Sequence, residues 1–130
     1  MATAPVFAST IKCGIVQATA ANTNRDGSGT IATVFSAGSS GSRVECVHIV
    51  ATGTTTAGVV RLYVHDGSNA RLIKEIMVTA ITPSTSVEVF RQTVDFSQNG
   101  FGLWMPTGYS LRVSTHNAET FNVIAMYADV

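Results

Sequence analysis

The feature that most constrains this chain is the spacing of its apolar residues. Short runs in which apolar and polar side chains alternate recur between clusters of Gly, Asn, Asp and Ser. Residues 7–20, 30–36, 43–51, 59–65, 71–80, 86–96, 109–115 and 120–129 all carry the period of two. A period of two puts successive side chains on opposite faces of a strand, and short strands parted by turns every eight to twelve residues or so predict a sandwich or barrel. The expected fold is all-β, a single antiparallel β-sandwich of jelly-roll or related Greek-key topology. Residues 9–130 form the sandwich domain, and residues 1–8 form an N-terminal arm.

At 130 residues the chain is long enough to bury a core without disulfides or metals. Its charged fraction is 12%, about half the ~25% of ordinary soluble domains. Thr, Ser, Asn and Gly must cover much of the surface. Few ions then have to shed water when another protein arrives, which favours extensive protein contact. Eight basic and eight acidic residues give zero formal net charge, and no Lys or Arg run exists. Neither nucleic acid nor an anionic membrane is an expected partner. No stretch approaches the roughly 18 apolar residues of a membrane span, and the first residues lack the pattern of a secretory signal.

Several segments carry local predictions. In residues 1–8, Pro5 blocks regular pairing, which suits either a frayed end or an arm laid on a neighbour. Val6 and Phe7 favour the arm. Ile11, Cys13 and Ile15 alternate with Lys12 and Gly14, as in a half-buried strand. Across 43–51, Val44, Cys46, His48 and Val50 oppose Glu45, Val47 and Ile49. Both sets are mainly apolar, so this strand is expected either at the centre of a sheet or against a neighbour as well as the core. Asp66-Gly67 marks a hairpin joining 59–65 to 71–80. Leu72, Ile73, Ile76, Met77 and Ala80 would also suit a helix face, but the hairpin signal decides for a strand. Pro106 and Gly108 predict a tight corner before the strand that starts at Tyr109.

Asn22, Asn24, Asp26 and Gly27 match the start of a calcium loop, but the twelfth position is Thr33, where a bidentate Glu belongs. A turn that needs Asn and Gly accounts for them better. His48, His65 and His116 form no ligand-spaced pair, and neither Cys13 nor Cys46 has a ligand-spaced partner. His48 is expected as a hydrogen-bonded core or interface residue, and the thiols as buried and reduced, with a bridge as the alternative. Spacing picks out no nucleophile elbow, carboxylate pair or phosphate loop. The chain is therefore read as no enzyme, with no catalytic residue, metal or cofactor. Trp104, near Phe101, Met105 and Tyr109, is expected first as a plug for one end of the sandwich. An interface anchor comes second, and a sugar-stacking platform third. Val6, Phe7, Trp104 and Tyr109 are the candidate interface residues.

Three strings carry a resemblance: Thr30-Ile-Ala-Thr-Val-Phe35, Thr55-Thr-Ala-Gly-Val-Val-Arg-Leu-Tyr-Val-His-Asp-Gly67 and Met105-Pro-Thr-Gly-Tyr-Ser-Leu-Arg-Val-Ser-Thr-His-Asn-Ala-Glu-Thr-Phe-Asn-Val123. Together they resemble small structural proteins of tailed bacteriophages, most of all capsid decoration (head-stabilising or cement) proteins. The resemblance implies a non-enzymatic virion protein, made in the host cytoplasm, that sits on the outer capsid surface. Its partners would be the major capsid protein and further copies of itself, as a homotrimer bridging capsomer junctions. The alternative is a tail-, collar- or fibre-associated sandwich that binds a host glycan.

Overall fold

The computed structural model describes residues 10–96 and 102–130. The expected arm, with Val6 and Phe7, lies outside the described residues. Nine strands are present among them: β1 (Thr10–Ala18), β2 (Ala32–Ser36), β3 (Ser42–Ala51), β4 (Gly58–His65), β5 (Ala70–Val78), β6 (Arg91–Asp95), β7 (Leu103–Met105), β8 (Ser110–Thr115) and β9 (Phe121–Asp129). They form two antiparallel sheets. Sheet A runs β1-β9-β3-β6, with β7 on the same edge of β3 as β6, and sheet B runs β2-β8-β4-β5. The chain changes sheet at every connection except the β4–β5 hairpin and the β6–β7 step. The result is the expected β-sandwich.

The core lies between the sheets. Val47, Ile49, Val123 and Ala125 from sheet A meet Val60, Leu62, Leu111 and Val113 from sheet B, all fully buried. Phe35 stacks on Tyr127 with ring centroids 3.8 Å apart, and Phe90 meets Phe121 edge-on at 6.3 Å. Strand β3 is central in sheet A, between β9 and the β6/β7 edge. The hairpin also forms as expected, with β4 paired to β5. Asp66 Oδ1 accepts the Ser68 and Asn69 N–H groups, and Gly67 takes φ 97°. At the predicted corner, Tyr109 N donates to Pro106 O and Gly108 takes φ 85°, the geometry of a type II turn.

Alternation fails where the ladder slips. A register shift between Val44 and Cys46 inserts one residue into β3. The bulge puts Val44 on the core side with Val47 and Ile49, not with Cys46 and His48 as strict alternation predicts. A second shift makes Leu62 face Lys74 and Tyr63 face Leu72, leaving Ile73 over in β5. This extra residue is why residues 71–80 also read as a helix face. The expected strand at 86–96 is ordered pairing only over Arg91–Asp95, and β7 was not foreseen.

A long connection after β1 folds back over the outer face of sheet B. Asn22 N donates to Thr115 O, and the Asn22 amide donates to the Ser28 and Thr30 carbonyls. Beneath it lies Arg61 of β4, only 2% exposed. Its Nη1 donates to Asn22 O, its Nε to Glu75 Oε2 at 2.9 Å, and its Nη2 meets His116 Nδ1. Glu75 also accepts from Arg25 Nε at 2.7 Å, and Tyr63 Oη donates to Asn24 O. One buried guanidinium thus joins β4, β5, the turn after β8 and the covering loop.

Arg61→Ala removes these bonds and leaves a void, a loss of roughly 2–4 kcal/mol. The expected result is a lower urea midpoint together with faster tryptic cleavage after Arg25. An unchanged cleavage rate would show that Arg61 does not hold the loop.

The hydrogen bonds from Arg25 and Arg61 hold the Glu75 carboxyl below its ordinary 4.5. Those from Lys12 and Ser42 hold Asp129 below its ordinary 3.8. Folding therefore favours the ionised forms. Their stabilisation is complete above the unfolded-state values and is lost as pH falls through the lower folded ones. The urea midpoint should drop as pH goes below about 4.5, and Glu75→Gln should flatten that drop. A midpoint that climbs on acidification contradicts the assignment.

Candidate interaction surface

The loop covers the outer face of sheet B around Arg61, while Met77 at the β5 edge is 69% exposed; nothing among the described residues covers sheet A. Register sets its outer face out in rows across the strands: Ile11–Ala128–Arg43–Trp104, Cys13–Met126–Cys46–Asp95, Ile15–Ile124–His48–Thr93 and Gln17–Asn122–Val50–Arg91. Ile11 is 91% exposed, Ile15 70%, Trp104 52% and Met126 42%. The molecule therefore presents an apolar sheet face, and at that face's margin β1 is an edge strand.

The orientation of β1 is opposite to the expected one. Ile11, Cys13 and Ile15 point outward, while Gly14, Val16 and Ala18 point in. The cause is packing against β2. A Cβ at Gly14 would lie 2.8 Å from both Val34 O and Phe35 Cβ, so only the glycine side of β1 lets the sheets close there. Isoleucines that alternation assigns to the core are left on the surface.

Of the candidate interface residues, Trp104 lies in β7 at the end of the first row, Tyr109 lies in the corner before β8, and Val6 and Phe7 lie outside the described residues. Trp104 does not plug the sandwich, because β7 turns the neighbouring Met105 inward and Trp104 outward. The Arg43 guanidinium lies 5.4 Å from the indole centroid, a cation–π contact. Beside the indole, Gly41, Ser42, Met105, Pro106 and Val130 line an apolar hollow of about 330 Å³. Tyr109 is half-buried against the core.

The other sequence candidates resolve as local structure. Asn22 Oδ1 accepts Asn24 N, and Asp26 Oδ1 accepts the Ser28 N–H and hydroxyl. These side chains shape their own loop, with Gly27 and Gly29 at φ 88° and 84°. His48 Nδ1 bonds Thr93 Oγ1 at 2.9 Å, and its Nε2 lies 3.6 Å from Cys46 Sγ. Among the described residues, no group of three His, Cys, Asp or Glu side chains is placed to hold a metal ion. Sequence reading missed Arg61 altogether, because a buried arginine in an apolar strand has no spacing signature.

Both cysteines are free, Cys13 exposed and Cys46 half-buried, which corrects the expectation of two buried thiols. Each pairs with Met126 from opposite sides of β9. Two strand spacings put their Cα atoms about 9–10 Å apart, beyond the ~7 Å reach of a disulfide. Burial, with Asp95 and Glu45 nearby, pushes the Cys46 thiol up. Alkylation followed by mass spectrometry should find no intrachain bridge and a faster reaction at Cys13. Recovery of a Cys13–Cys46 disulfide from folded protein contradicts the register.

No protein-family model matches the chain, and no curated protein matches it. Among solved structures it is similar to a pentameric capsid protein isolated from metagenomic phage sequences, at 14% identity and a TM-score of 0.45, over 90% of this chain and 62% of that one. A second structure of the same description gives 14% identity and a TM-score of 0.42, over 90% and 63%. The chain thus spans less than two thirds of the length of these two. A chain of the cyanophage Pam1 capsid asymmetric unit gives 19% identity and a TM-score of 0.45, over 100% of this chain and 92% of that one.

Proposed function

We propose that this chain is a non-enzymatic structural protein of a phage virion. It binds the outer capsid surface as a small oligomer, a homotrimer, and bridges capsomer junctions. The observation that carries the reading is the apolar outer face of β1, β9 and β3, where an inverted edge strand exposes Ile11 and Ile15. The resemblance of the three strings to phage decoration proteins supports it. So does the strand order: if β6 and β7 count as one interrupted strand, the two sheets follow the order of a jelly roll.

Magnitudes favour the oligomer. Four strands about 4.8 Å apart and some eight residues long present roughly 500 Å². A stable interface needs about 800 Å² from each partner. One copy would hold weakly, while several linked copies multiply the effect of modest contacts. Low surface charge keeps the desolvation cost of each contact small. The glycan-binding alternative, a tail-, collar- or fibre-associated role, needs an open aromatic platform, and Arg43 lies over the Trp104 ring.

Purified protein mixed with expanded capsids of its phage should bind saturably and at fixed stoichiometry. Ile11→Lys with Ile15→Lys alters only exposed side chains, so the fold should persist while capsid binding weakens at least tenfold. Deleting residues 1–7 tests the arm in the same assay. Light scattering reads the oligomer, and a pentamer or monomer would replace the trimer. Capsid binding undiminished in the double lysine variant would falsify the contact face.

A further inference from the structure

The chain has six arginines, and four of them are neutralised in place. Arg25 and Arg61 pair with Glu75, Arg43 with Glu45 and Arg91 with Glu88. Arg71 and Arg112 are in no ion pair among the described residues, and both line the same cleft of about 330 Å³. Its walls are the loop after β1, the β4–β5 hairpin and the side of β8. The volume lies within the range of small-molecule sites. Arg112 Nε donates to the Ser110 hydroxyl at 3.0 Å; in a chain with so few charges, two guanidiniums outside any ion pair that line one concavity mark a place where an anion is received.

The rest of the lining adds hydrogen-bonding groups. His65 Nδ1 accepts the Gly67 N–H at 3.0 Å, so the donor nitrogen of the neutral ring is Nε2. Ser28, Ser68 and Asn69 contribute hydroxyls and an amide. One carboxylate also lines the cleft, that of Asp26, and its Oδ1 is already held by the Ser28 N–H and hydroxyl. Asp66 lies close enough to attract Arg71, but its Oδ1 accepts the Ser68 and Asn69 N–H groups. These hydrogen bonds hold both carboxylates ionised, so Asp26 in the lining and Asp66 beside Arg71 offset part of the positive charge, and the anion is gripped by the geometry of the two guanidiniums and the neutral donors. The walls are also fixed relative to each other: at Gly27 a Cβ would collide with the Ala70 carbonyl oxygen, so the loop is seated directly on the start of β5.

We infer that this cleft binds the oxyanion of an acidic saccharide, a carboxylate or a phosphate gripped by Arg71 and Arg112 while the neutral polar groups take sugar hydroxyls. The inference does not rest on the capsid reading, because none of the lining residues lies on the outer face of sheet A. The site also differs from the Trp104 platform that a stacked sugar would use.

The test is titration by two-dimensional NMR with glucuronate, glucose 6-phosphate, glucose, acetate and inorganic phosphate. The expected result is saturable shifts at residues 26–31 and 65–71, with at least one acidic sugar binding ten times more tightly than glucose or either bare anion. Whichever acidic sugar binds more tightly identifies the oxyanion as carboxylate or phosphate. Arg71→Gln and Arg112→Gln should each weaken binding at least tenfold, with the fold checked in the same spectra. Arg91→Gln, on the distant β6, should leave it unchanged. Acidic sugars no better than bare anions, or binding that survives both cleft variants, would overturn the inference.

Discussion

Arg61 decides which side of this sandwich is closed. A charged side chain placed in an apolar strand would ordinarily be expelled to water, since burying an unpaired charge costs far more than a surface contact returns. Here it stays buried because each of its three nitrogens has a partner, in Glu75, the Asn22 carbonyl and His116. Those partners come from β5, from the loop after β1 and from the turn after β8. The loop is thereby drawn across sheet B, and Tyr63 ties it a second time through Asn24. The middle of this face is covered by the molecule's own chain.

The other face is left open by a different constraint. A Cβ at Gly14 would collide with Val34 and Phe35 of β2, so β1 turns its isoleucines outward. The two devices make the sandwich two-sided. Sheet A offers an apolar face suited to another protein surface, and the loop held down over sheet B builds a polar cleft with two arginines outside any ion pair among the described residues. Self-sealing on one side and exposure on the other suit a molecule that docks in one orientation.

Much of the fold was legible in the sequence. Alternation gave the sandwich, Asp66-Gly67 gave the β4–β5 hairpin, Pro106 and Gly108 gave the corner, and two apolar faces in 43–51 gave the central position of β3. What alternation cannot register is a change of parity. The bulge at Val44/Cys46 moves Val44 to the core, the extra Ile73 makes β5 look helical, and three residues of β7 are too few to show a period. The face of β1 was read the wrong way round, because what sets it is a glycine's fit against a strand far along the chain. Trp104 was found as a candidate, but whether it plugs or projects depends on that same unreadable parity. Arg61, Arg71 and Arg112 looked equally isolated in sequence. Only the fold separates the one that is buried and satisfied from the two that share a cleft.

The most direct test of the account is cryo-electron microscopy of capsids bearing the bound protein. The account predicts regular density at capsomer junctions, with the strands of β1, β9 and β3 laid against the shell and the loop over sheet B facing solvent. Density that meets the shell through sheet B, or a bare shell with the protein at the tail, would contradict it.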